Sequence, residues 1–244
     1  MRMIARFHAA SLVLYQKDPD IFKPFMENAY SKGEDIGMES LFKGNVTSVA
    51  KEVETWPDYK NKFARKLHNL RDTVLEQWTL QIRRKDEEFN VLCHGDLWLN
   101  NMMFRYSEET GEVEEVRFVD FQLTYWTSPA IDLQYFMHSS ASAEALEQYE
   151  LLIQEYYNTL CETLTLLKHP HLQPTMGLIN EELEKRSRFA VIASIVIRAV
   201  VLADKNKAPD FNDIIEAKES VYLSEEYKGS FKKILLLLEA RKWL

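Results

Sequence analysis

Two aspartates near the middle of the chain stand where short apolar runs stop. Asp96 follows the run VLCHG and Asp120 follows the run VRFV, with Asn101 and other polar residues between them. Carboxylates at the ends of buried strands, close to an Asn and a His, are typical of sites that hold a metal ion or move a proton. These residues are therefore the first candidates for chemistry.

Two chemistries other than phosphoryl transfer use some of these residue types. A metal hydrolase site on His94-x-Asp96 needs two or more further ligands, and His169-x-His171 is the one other ligand-like spacing. A nucleophile at Cys93 would need a nearby base, but the adjacent His94 would point to the opposite face of the strand. The chain also has no GxSxG motif. Both chemistries are disfavoured, and Cys93 is interpreted as a small buried apolar residue.

Phosphoryl transfer from a nucleotide fits the spacing best. That reaction needs a carboxylate that orients or deprotonates the attacking hydroxyl, and oxygen ligands for the magnesium ion that bridges the phosphates. Asn101 follows Asp96 by five residues, as in the HRDxxxxN loop of protein kinases, and Asp120-Phe121 follows Asp96 by 24 residues. The spacing of Asp96 and Asn101 alone occurs by accident in many proteins, whereas the added DF pair makes the combination specific.

Short strands and one helix are predicted to position these residues. The strands are FNVLCH, NMMFRY and VEEVRFVDF, and the turn SEETGE with Gly111 joins the last two as a hairpin. The following segment, TSPAIDLQYFM, starts a helix with Ser128 as N-cap and Pro129 in the first position, and it carries Asp132.

The rest of the chain has helical periodicity. Further helices are predicted over residues 1–14, 56–82, 143–167, 179–203 and 224–243. Residues 30–46 contain three glycines and are predicted to form a loop with a short helical turn, and KHPHLQPTMG and KNKAPDFND are Pro-containing breaks. We expect a mostly helical α+β fold in a single domain, residues 1–244.

The composition limits the classes of function. The formal charge is −8 and no Lys/Arg-rich stripe occurs, which disfavours nucleic-acid binding because that needs a basic face. The two cysteines form no CxxC pair, which fits a reducing compartment. The N-terminus is not a convincing signal peptide, and the most apolar segment, 190–203, is too short to span a bilayer. We expect a cytoplasmic protein without a membrane span.

Three segments around the candidate residues resemble those of one family of small-molecule kinases. They are CHGDLWLNNMMF, VRFVDFQ and SPAIDLQYF. They look like the CHK kinase-like, or ecdysteroid kinase-like, family, which is related to aminoglycoside phosphotransferases and choline kinases. The segment MIARFHAASLVL also resembles that family's helix after the hinge. The resemblance covers essentially all of the chain, and its strongest motifs lie between residues 91 and 136.

This resemblance implies the C-terminal lobe of a protein-kinase-like fold, and an enzyme that uses ATP and Mg²⁺. Its substrate would be a small molecule with a hydroxyl group, and the family name suggests a steroid. Carried over by position, Asp96 would be the catalytic base, and Asn101 and Asp120 would be magnesium ligands. His94 would shape the loop rather than take part in the chemistry, and Asp132 would brace the loop by hydrogen bonds.

Aromatic residues near Asp120 are candidates for the acceptor pocket. Tyr125 and Trp126 follow the expected metal ligand closely, so both are candidates to line that pocket. The wider aromatic set is interpreted as core rather than as a base-stacking platform; it comprises Trp98, Phe104, Phe118, Phe121, Tyr125, Trp126 and Tyr135.

The chain departs from the family's pattern in lacking a nucleotide-binding lobe. It contains no GxG and no Lys in a VAIK-like strand, so no further nucleotide-binding residues are assigned. We therefore expect the C-terminal lobe alone, most simply by truncation, without ATP-dependent phosphorylation of its own. Self-association is expected through apolar surface on the helix Met3–Leu14. The alternative is a non-catalytic remnant that binds a ligand or a partner, which a dedicated transcript with a clean start codon would favour.

Overall fold

The structure is a computed structural model, and it describes residues 1–27, 38–203 and 223–244. The expected mostly helical α+β composition is confirmed. The helices are α1 (Arg2–Lys17), α2 (Met38–Glu54), α3 (Pro57–Tyr59), α4 (Arg65–Arg71), α5 (Val74–Ile82), α6 (Ala130–Ser139), α7 (Ala143–Glu147), α8 (Tyr149–Leu166), α9 (Met176–Lys185), α10 (Ser187–Ile192), α11 (Arg198–Val201) and α12 (Glu225–Ala240). The strands are β1 (Val91–Cys93), β2 (Met102–Tyr106), β3 (Val113–Phe118) and β4 (Tyr125–Thr127).

The contacts within the chain divide it into two compact units. The first unit is built from the segments 1–32, 83–136 and 148–186, and it contains all four strands with α1, α8 and α9. The second unit is built from the segments 33–82, 137–147 and 187–244. The prediction that residues 1–244 form a single kinase-like domain stays a prediction.

The strands of the first unit pair as two antiparallel ribbons. The predicted hairpin is confirmed as β2 with β3, in the register that places Met103 opposite Arg117. The other ribbon pairs β1 with β4, with Leu92 opposite Trp126. Strand β4 was not predicted from the sequence, because its three residues are all buried and so show no alternation of polar and apolar side chains.

Helix α1 packs its apolar face inside the first unit. It lies against α8 and β1, and Ile4, Ala9 and Leu12 are buried. Along the helix Met3–Leu14, however, Met3 and Phe7 are half-buried and Leu14 is 48% exposed, so the predicted apolar surface is buried only in part. Its first turn, Met1 to Ile4, lines an open groove of about 630 Å³ together with residues of the β2–β3 hairpin. Self-association stays a prediction.

The second unit corrects two predictions for the region before β1. Residues 38–46 belong to α2 rather than to a loop, because the apolar residues Phe42, Val46 and Val49 form a buried stripe that outweighs the glycine within it. Residues 30–37 of that predicted loop lie outside the described residues. The helix predicted over 56–82 is divided into shorter helical pieces, although Leu67 and Trp78 of its apolar face are buried as expected.

The break between α4 and α5 has a local cause. The Thr73 hydroxyl donates to the carbonyl of Leu70 at 3.4 Å and accepts from Gln77 Nε2 at 2.8 Å. Such side-chain bonds compete with the helical backbone ladder.

The helices predicted after β4 are each present, with interruptions. The region 143–167 forms α7 and α8, and the region 179–203 forms α9 to α11 with a π-helical turn at Ala193–Ile197. The break KNKAPDFND lies outside the described residues. Within the part of the chain that the structure describes, no helix is long and apolar enough to cross a membrane.

Candidate active site

The loop between β1 and β2 carries the first candidate residues, and Asp132 from α6 holds its backbone. One carboxylate oxygen of Asp132 accepts the backbone N–H of His94 at 2.7 Å, and the other accepts that of Gly95 at 2.9 Å. Asp132 is fully buried, so these bonds compensate the cost of removing its charge from water. The loop therefore leaves β1 in one defined direction.

Gly95 is required at the turn of this loop. Its φ of +83° lies in the region that favours glycine, and a Cβ atom would stand 2.1 Å from the carbonyl oxygen of Leu123. Atoms that close cannot coexist, so any side chain at this position would push apart the segments that precede Asp96 and follow Asp120.

Asp96 and Asn101 are in direct contact. The Asn101 side-chain amide donates to the Asp96 backbone carbonyl and to its carboxylate oxygen Oδ2, both at 2.9 Å. Because the NH₂ group makes both bonds, the amide oxygen Oδ1 of Asn101 is the atom left to bind a cation or a ligand. The five-residue spacing thus lets the Asn101 side chain close a small loop by bonding both the backbone and the carboxylate of Asp96.

The hairpin places Asp120 at the same end as Asn101. The Val119 N–H donates to the Asn101 carbonyl at 3.0 Å, which extends the pairing of β2 and β3 by one step. Asp120 itself is exposed and has left-handed backbone angles, φ 63° and ψ 65°. Such angles are uncommon for a residue other than glycine and cluster at functional sites.

His94 links the two loops that carry the acids. Its Nε2 lies 2.9 Å from the carbonyl of Val119, and its Nδ1 accepts the backbone N–H of Asp96 at 3.3 Å. The carbonyl can only accept, so Nε2 carries the proton and donates. His94 contacts backbone groups on both loops, which is the arrangement expected of a loop-shaping residue.

The carboxylate of Asp96 is held by two donors in a partly buried position. Besides the Asn101 amide on Oδ2, the Tyr135 hydroxyl donates to Oδ1 at 2.7 Å. Burial raises the pKa of Asp96, and the nearby charge of Asp120 adds to the rise, whereas the Tyr135 and Asn101 hydrogen bonds and His94 oppose it. The proximity of Asp120 therefore affects the charge state of Asp96.

Asp132 is itself part of a buried polar cluster with His8 and Tyr156. His8 Nε2 donates to the Asp132 carboxylate at 3.1 Å, and His8 Nδ1 lies 2.8 Å from the Tyr156 hydroxyl. Burial raises the pKa of Tyr156 well above its usual range, so the phenol stays protonated and donates to Nδ1. The three groups form a chain of hydrogen bonds from α8 through α1 to α6.

The same cluster includes Cys93 and has ligand types that bind metals. Potential ligand atoms of His8, Cys93 and Asp132 lie within 4.8 Å of one another. However, burial raises the pKa of Cys93 well above its usual range, and its Sγ lies 3.3 Å from the Ser128 carbonyl, so it is a thiol donor rather than a thiolate ligand. Because each atom already has a hydrogen-bond partner, the cluster is structural.

Tyr125 and Trp126 are part of the core of the first unit. Each is 4% exposed, and Trp126 stacks on Tyr15 with ring centroids 4.3 Å apart and packs edge-on against Phe22. Lining an acceptor pocket would require this packing to open. Their role in acceptor binding stays a prediction.

Two residues of the site were not recognised from the sequence. Tyr135 was interpreted as core, and no role was assigned to His8. A usable signal existed for Tyr135, since it follows Asp132 by three residues and therefore shares its helix face. His8 had a weaker signal, its position on the buried stripe of α1 four residues after Ile4.

The chain is mostly helical and α+β, with acids at the ends of short strands and an amide five residues beyond the first acid. This arrangement is consistent with a kinase-like domain. The sequence model of the ecdysteroid kinase-like family matches residues 1–169. The chain belongs to this family, which confirms the resemblance over residues 1–169 rather than over the whole chain. The search of curated proteins and the search of solved structures each found no match.

Proposed function

We propose that this chain is the C-terminal lobe of a protein-kinase-like fold and acts in the transfer of a phosphoryl group from ATP to a hydroxyl of a small molecule. The proposal is supported by the family match over residues 1–169. The observation that carries it is the contact between Asp96 and Asn101, in which the amide holds the carboxylate and keeps Oδ1 for a cation. Asp96 is the proposed base, and Asn101 and Asp120 are the proposed metal ligands.

In the proposed step, the oxygen of the acceptor hydroxyl attacks the γ-phosphorus of ATP. The bond from that phosphorus to the bridging oxygen breaks, and ADP leaves with the bond's electron pair. The hydroxyl proton passes to the Asp96 carboxylate, which is ionised to accept it. The two hydrogen bonds to this carboxylate fix its orientation before the substrate arrives, so little reorganisation is needed during the reaction.

The donor set fits a magnesium ion. Mg²⁺ prefers oxygen ligands and binds through one or two protein groups with phosphate oxygens and water completing the octahedron. The Asn101 amide oxygen and the exposed Asp120 carboxylate supply two such groups at one end of the hairpin. When bound, the ion would neutralise charge on the phosphates.

The proposed acceptor is a steroid alcohol, because the family description names ecdysteroids. A panel of steroid alcohols against choline and an aminoglycoside tests this class directly. Each acceptor is assayed with radiolabelled ATP and a form of the protein that carries a nucleotide-binding N-terminal lobe. Phosphorylation confined to the non-steroid acceptors would contradict the steroid assignment while leaving phosphotransfer in place.

Two matched substitutions separate the proposed roles, and they use a form of the protein that carries a nucleotide-binding N-terminal lobe. We expect Asp96→Asn to lower kcat by about 10²–10⁴-fold with little change in magnesium–ATP binding, as for loss of a general base. We expect Asp120→Asn to weaken magnesium–ATP binding itself, because a metal ligand is lost. Calorimetry and turnover are measured on the same samples.

The control is Asp86→Asn, since Asp86 lies in the same unit, is exposed and pairs with Arg84. This substitution should change neither kcat nor magnesium–ATP binding. Equal losses of nucleotide binding in Asp96→Asn and Asp120→Asn would show that the base is misassigned.

A further inference from the structure

Two histidines that the proposed reaction does not use lie side by side after α8. Their spacing, His169-x-His171, is typical of metal ligands, and their ring centroids are 5.5 Å apart. His171 is exposed and His169 is half-buried, so solvent reaches both rings. Both residues belong to the first unit, together with Gln16 of α1.

The side chain of Gln16 joins the two rings. Its amide oxygen Oε1 lies 2.9 Å from His169 Nδ1 and 3.1 Å from His171 Nε2. Its amide nitrogen also lies 2.9 Å from His171 Nε2. Two imidazole nitrogens and one amide oxygen therefore converge on one point of the surface. Imidazole nitrogens are preferred ligands of divalent zinc, copper and nickel.

The distances between these atoms are those of neighbouring ligands on one metal ion. Ligand atoms that bond zinc at about 2.1 Å stand about 2.9–3.4 Å apart when they are adjacent in a tetrahedral or octahedral arrangement. The distances from Gln16 Oε1 to the two ring nitrogens, 2.9 and 3.1 Å, fall in that range. Rotation of the exposed His171 side chain adjusts the remaining distance, between the two nitrogens.

The nitrogens can exchange their hydrogen bonds for bonds to a metal. A neutral imidazole carries one proton on either of its nitrogens, so a shift of that proton to the far nitrogen frees His169 Nδ1 or His171 Nε2 as a ligand. The cluster of His8, Cys93 and Asp132 differs in this respect, because all three of its side chains are closed to solvent.

The backbone holds both histidines in place before any ligand binds. Helix α8 ends in a Schellman motif, in which the N–H of His169 donates to the Leu164 carbonyl at 2.8 Å and that of Lys168 to the Thr165 carbonyl at 2.9 Å. Lys168 has the left-handed φ of 64° that this motif requires. The second histidine follows at once in the 3₁₀ turn Pro170–Leu172. Ordering of the loop therefore does not oppose binding.

We propose that His169, His171 and Gln16 form a binding site for a divalent transition-metal ion such as Zn²⁺, with water completing the coordination. The site is separate from the proposed magnesium ligands and selects a different ion, since Mg²⁺ takes oxygen ligands. The bound ion joins the last turn of α1 to the loop after α8. It therefore stabilises the packing of these two helices, because it binds the folded state alone.

The test is a zinc titration of the untagged 244-residue chain by calorimetry, with excess Mg²⁺ to occupy sites made of oxygen ligands. We expect one zinc ion per chain. His169→Ala and His171→Ala should each weaken binding by about 100-fold, since the loss of groups that merely orient a ligand already costs about 10–100-fold. The matched control is His68→Ala, since His68 pairs with Glu54 instead of a second histidine. This control should bind zinc as wild type does, and equal affinity in wild type and His171→Ala would overturn the proposal.

A second substitution is expected to act in the opposite direction. Gln16→Glu replaces the amide oxygen with a charged carboxylate oxygen at the same position. Zinc should bind this variant about tenfold more tightly, because affinity for a cation rises with the charge of its ligands. Unchanged or weaker binding would overturn the assignment of Gln16 as the third ligand.

Spectroscopy and stability identify the site independently of affinity. Among the six histidines of the chain, those at positions 169 and 171 should show the imidazole NMR resonances that shift as zinc is added. Zinc should also raise the Tm of wild type and of His68→Ala but leave that of His171→Ala unchanged. Shifts confined to other histidines, or an equal rise of Tm in all three proteins, would overturn the proposal.

Discussion

At the scale of single residues, the site contains a partly buried charge and a strained backbone, and neighbouring residues offset both costs. Burial disfavours the charge of Asp96 and raises its pKa, and two side-chain donors offset this effect in part. Asp120 holds a left-handed backbone that few residues adopt, and its neighbour Val119 is tied to Asn101 and His94. Strain and desolvation of this kind persist when surrounding contacts determine the geometry. The residues that supply those contacts are therefore as informative about the site as the acids.

Gly95 gives the clearest prediction at this scale. Gly95→Ala would bring a Cβ against the Leu123 carbonyl while φ stays positive, so we expect a loss of about 2–4 kcal/mol in the free energy of unfolding. Urea denaturation measures it. The matched control is Gly111→Ala, where φ is also positive but a Cβ meets nothing within 4 Å among the described residues. Its loss should be about 1 kcal/mol, from backbone strain alone. Equal losses at the two glycines would contradict the steric argument.

At the scale of elements, α6 holds the loop of the site through Asp132. Helices α1 and α8 in turn hold Asp132 in place through a chain of hydrogen bonds. The link is His8, whose imidazole joins Asp132 on α6 to Tyr156 on α8. Both side chains of the His8–Asp132 pair are fully buried. A fully satisfied buried network of this kind restricts the arrangement of its helices, because any relative shift leaves polar groups without partners.

His8→Ala tests whether this network reaches the loop. It removes two hydrogen bonds and leaves the Asp132 carboxylate and Tyr156 hydroxyl underbonded, so we expect a loss of about 2–4 kcal/mol in unfolding free energy. Amide hydrogen exchange at His94 and Gly95 should also accelerate, since Asp132 holds both N–H groups.

The control for this substitution is His68→Ala, because the His68 side chain is 39% exposed and pairs with the exposed Glu54. It should change the stability by less than about 0.5 kcal/mol and leave exchange at His94 and Gly95 unaltered. Loss of stability in His8→Ala without faster exchange at those two amides would show that the network is structural but does not brace the loop.

At the scale of the whole molecule, the first unit is assembled from three separated segments of chain. A buried ion pair joins two of them: the Arg186 guanidinium after α9 makes two hydrogen bonds to the Glu88 carboxylate before β1. Both side chains are 3% exposed. Burial by itself raises the pKa of Glu88, but the hydrogen bonds and charge of Arg186 and the charge of Lys85 outweigh it, so the pKa lies below its ordinary value.

Glu88→Gln should therefore destabilise the protein in a pH-dependent manner. A carboxylate with a lowered folded-state pKa stabilises the fold above its unfolded-state pKa, and this contribution is lost as the pH falls through the folded-state value. At pH 7 we expect a loss of about 3–5 kcal/mol, because Arg186 is left as a buried charge without its partner. Denaturation curves at pH 7 and pH 3 give the comparison, and the loss should shrink at pH 3.

The matched control is Glu144→Gln in the second unit, where Glu144 pairs with Lys233 at an exposed position. That pair is screened by solvent, and its removal should leave the stability unchanged within error. A loss in Glu88→Gln that is the same at both pH values would show that packing, rather than charge, makes the Glu88 contribution.

Much of the site could be predicted from the sequence because its parts are close together along the chain. Asp96 and Asn101 are five residues apart, and the turn at Gly111 returns the chain so that Asp120 pairs back beside Asn101. Strand ends, turns and short loops depend on local propensity and hydrogen bonding, which a sequence displays directly. The roles assigned to these residues stay predictions.

The tertiary structure alone decided which distant groups support them. His8 meets Asp132 across 124 positions of sequence and Tyr156 across 148, and β4 is a strand because it pairs with β1. From the sequence, Tyr135 could have been one more aromatic residue of the core. The packing of α6 against the loop brings its hydroxyl to Asp96. Such contacts follow from the burial of whole helix faces, which is a sum over many residues, so no short motif encodes them. The sequence by itself thus determined the candidate acids and the family, and the packing of helices determined what holds the acids in place.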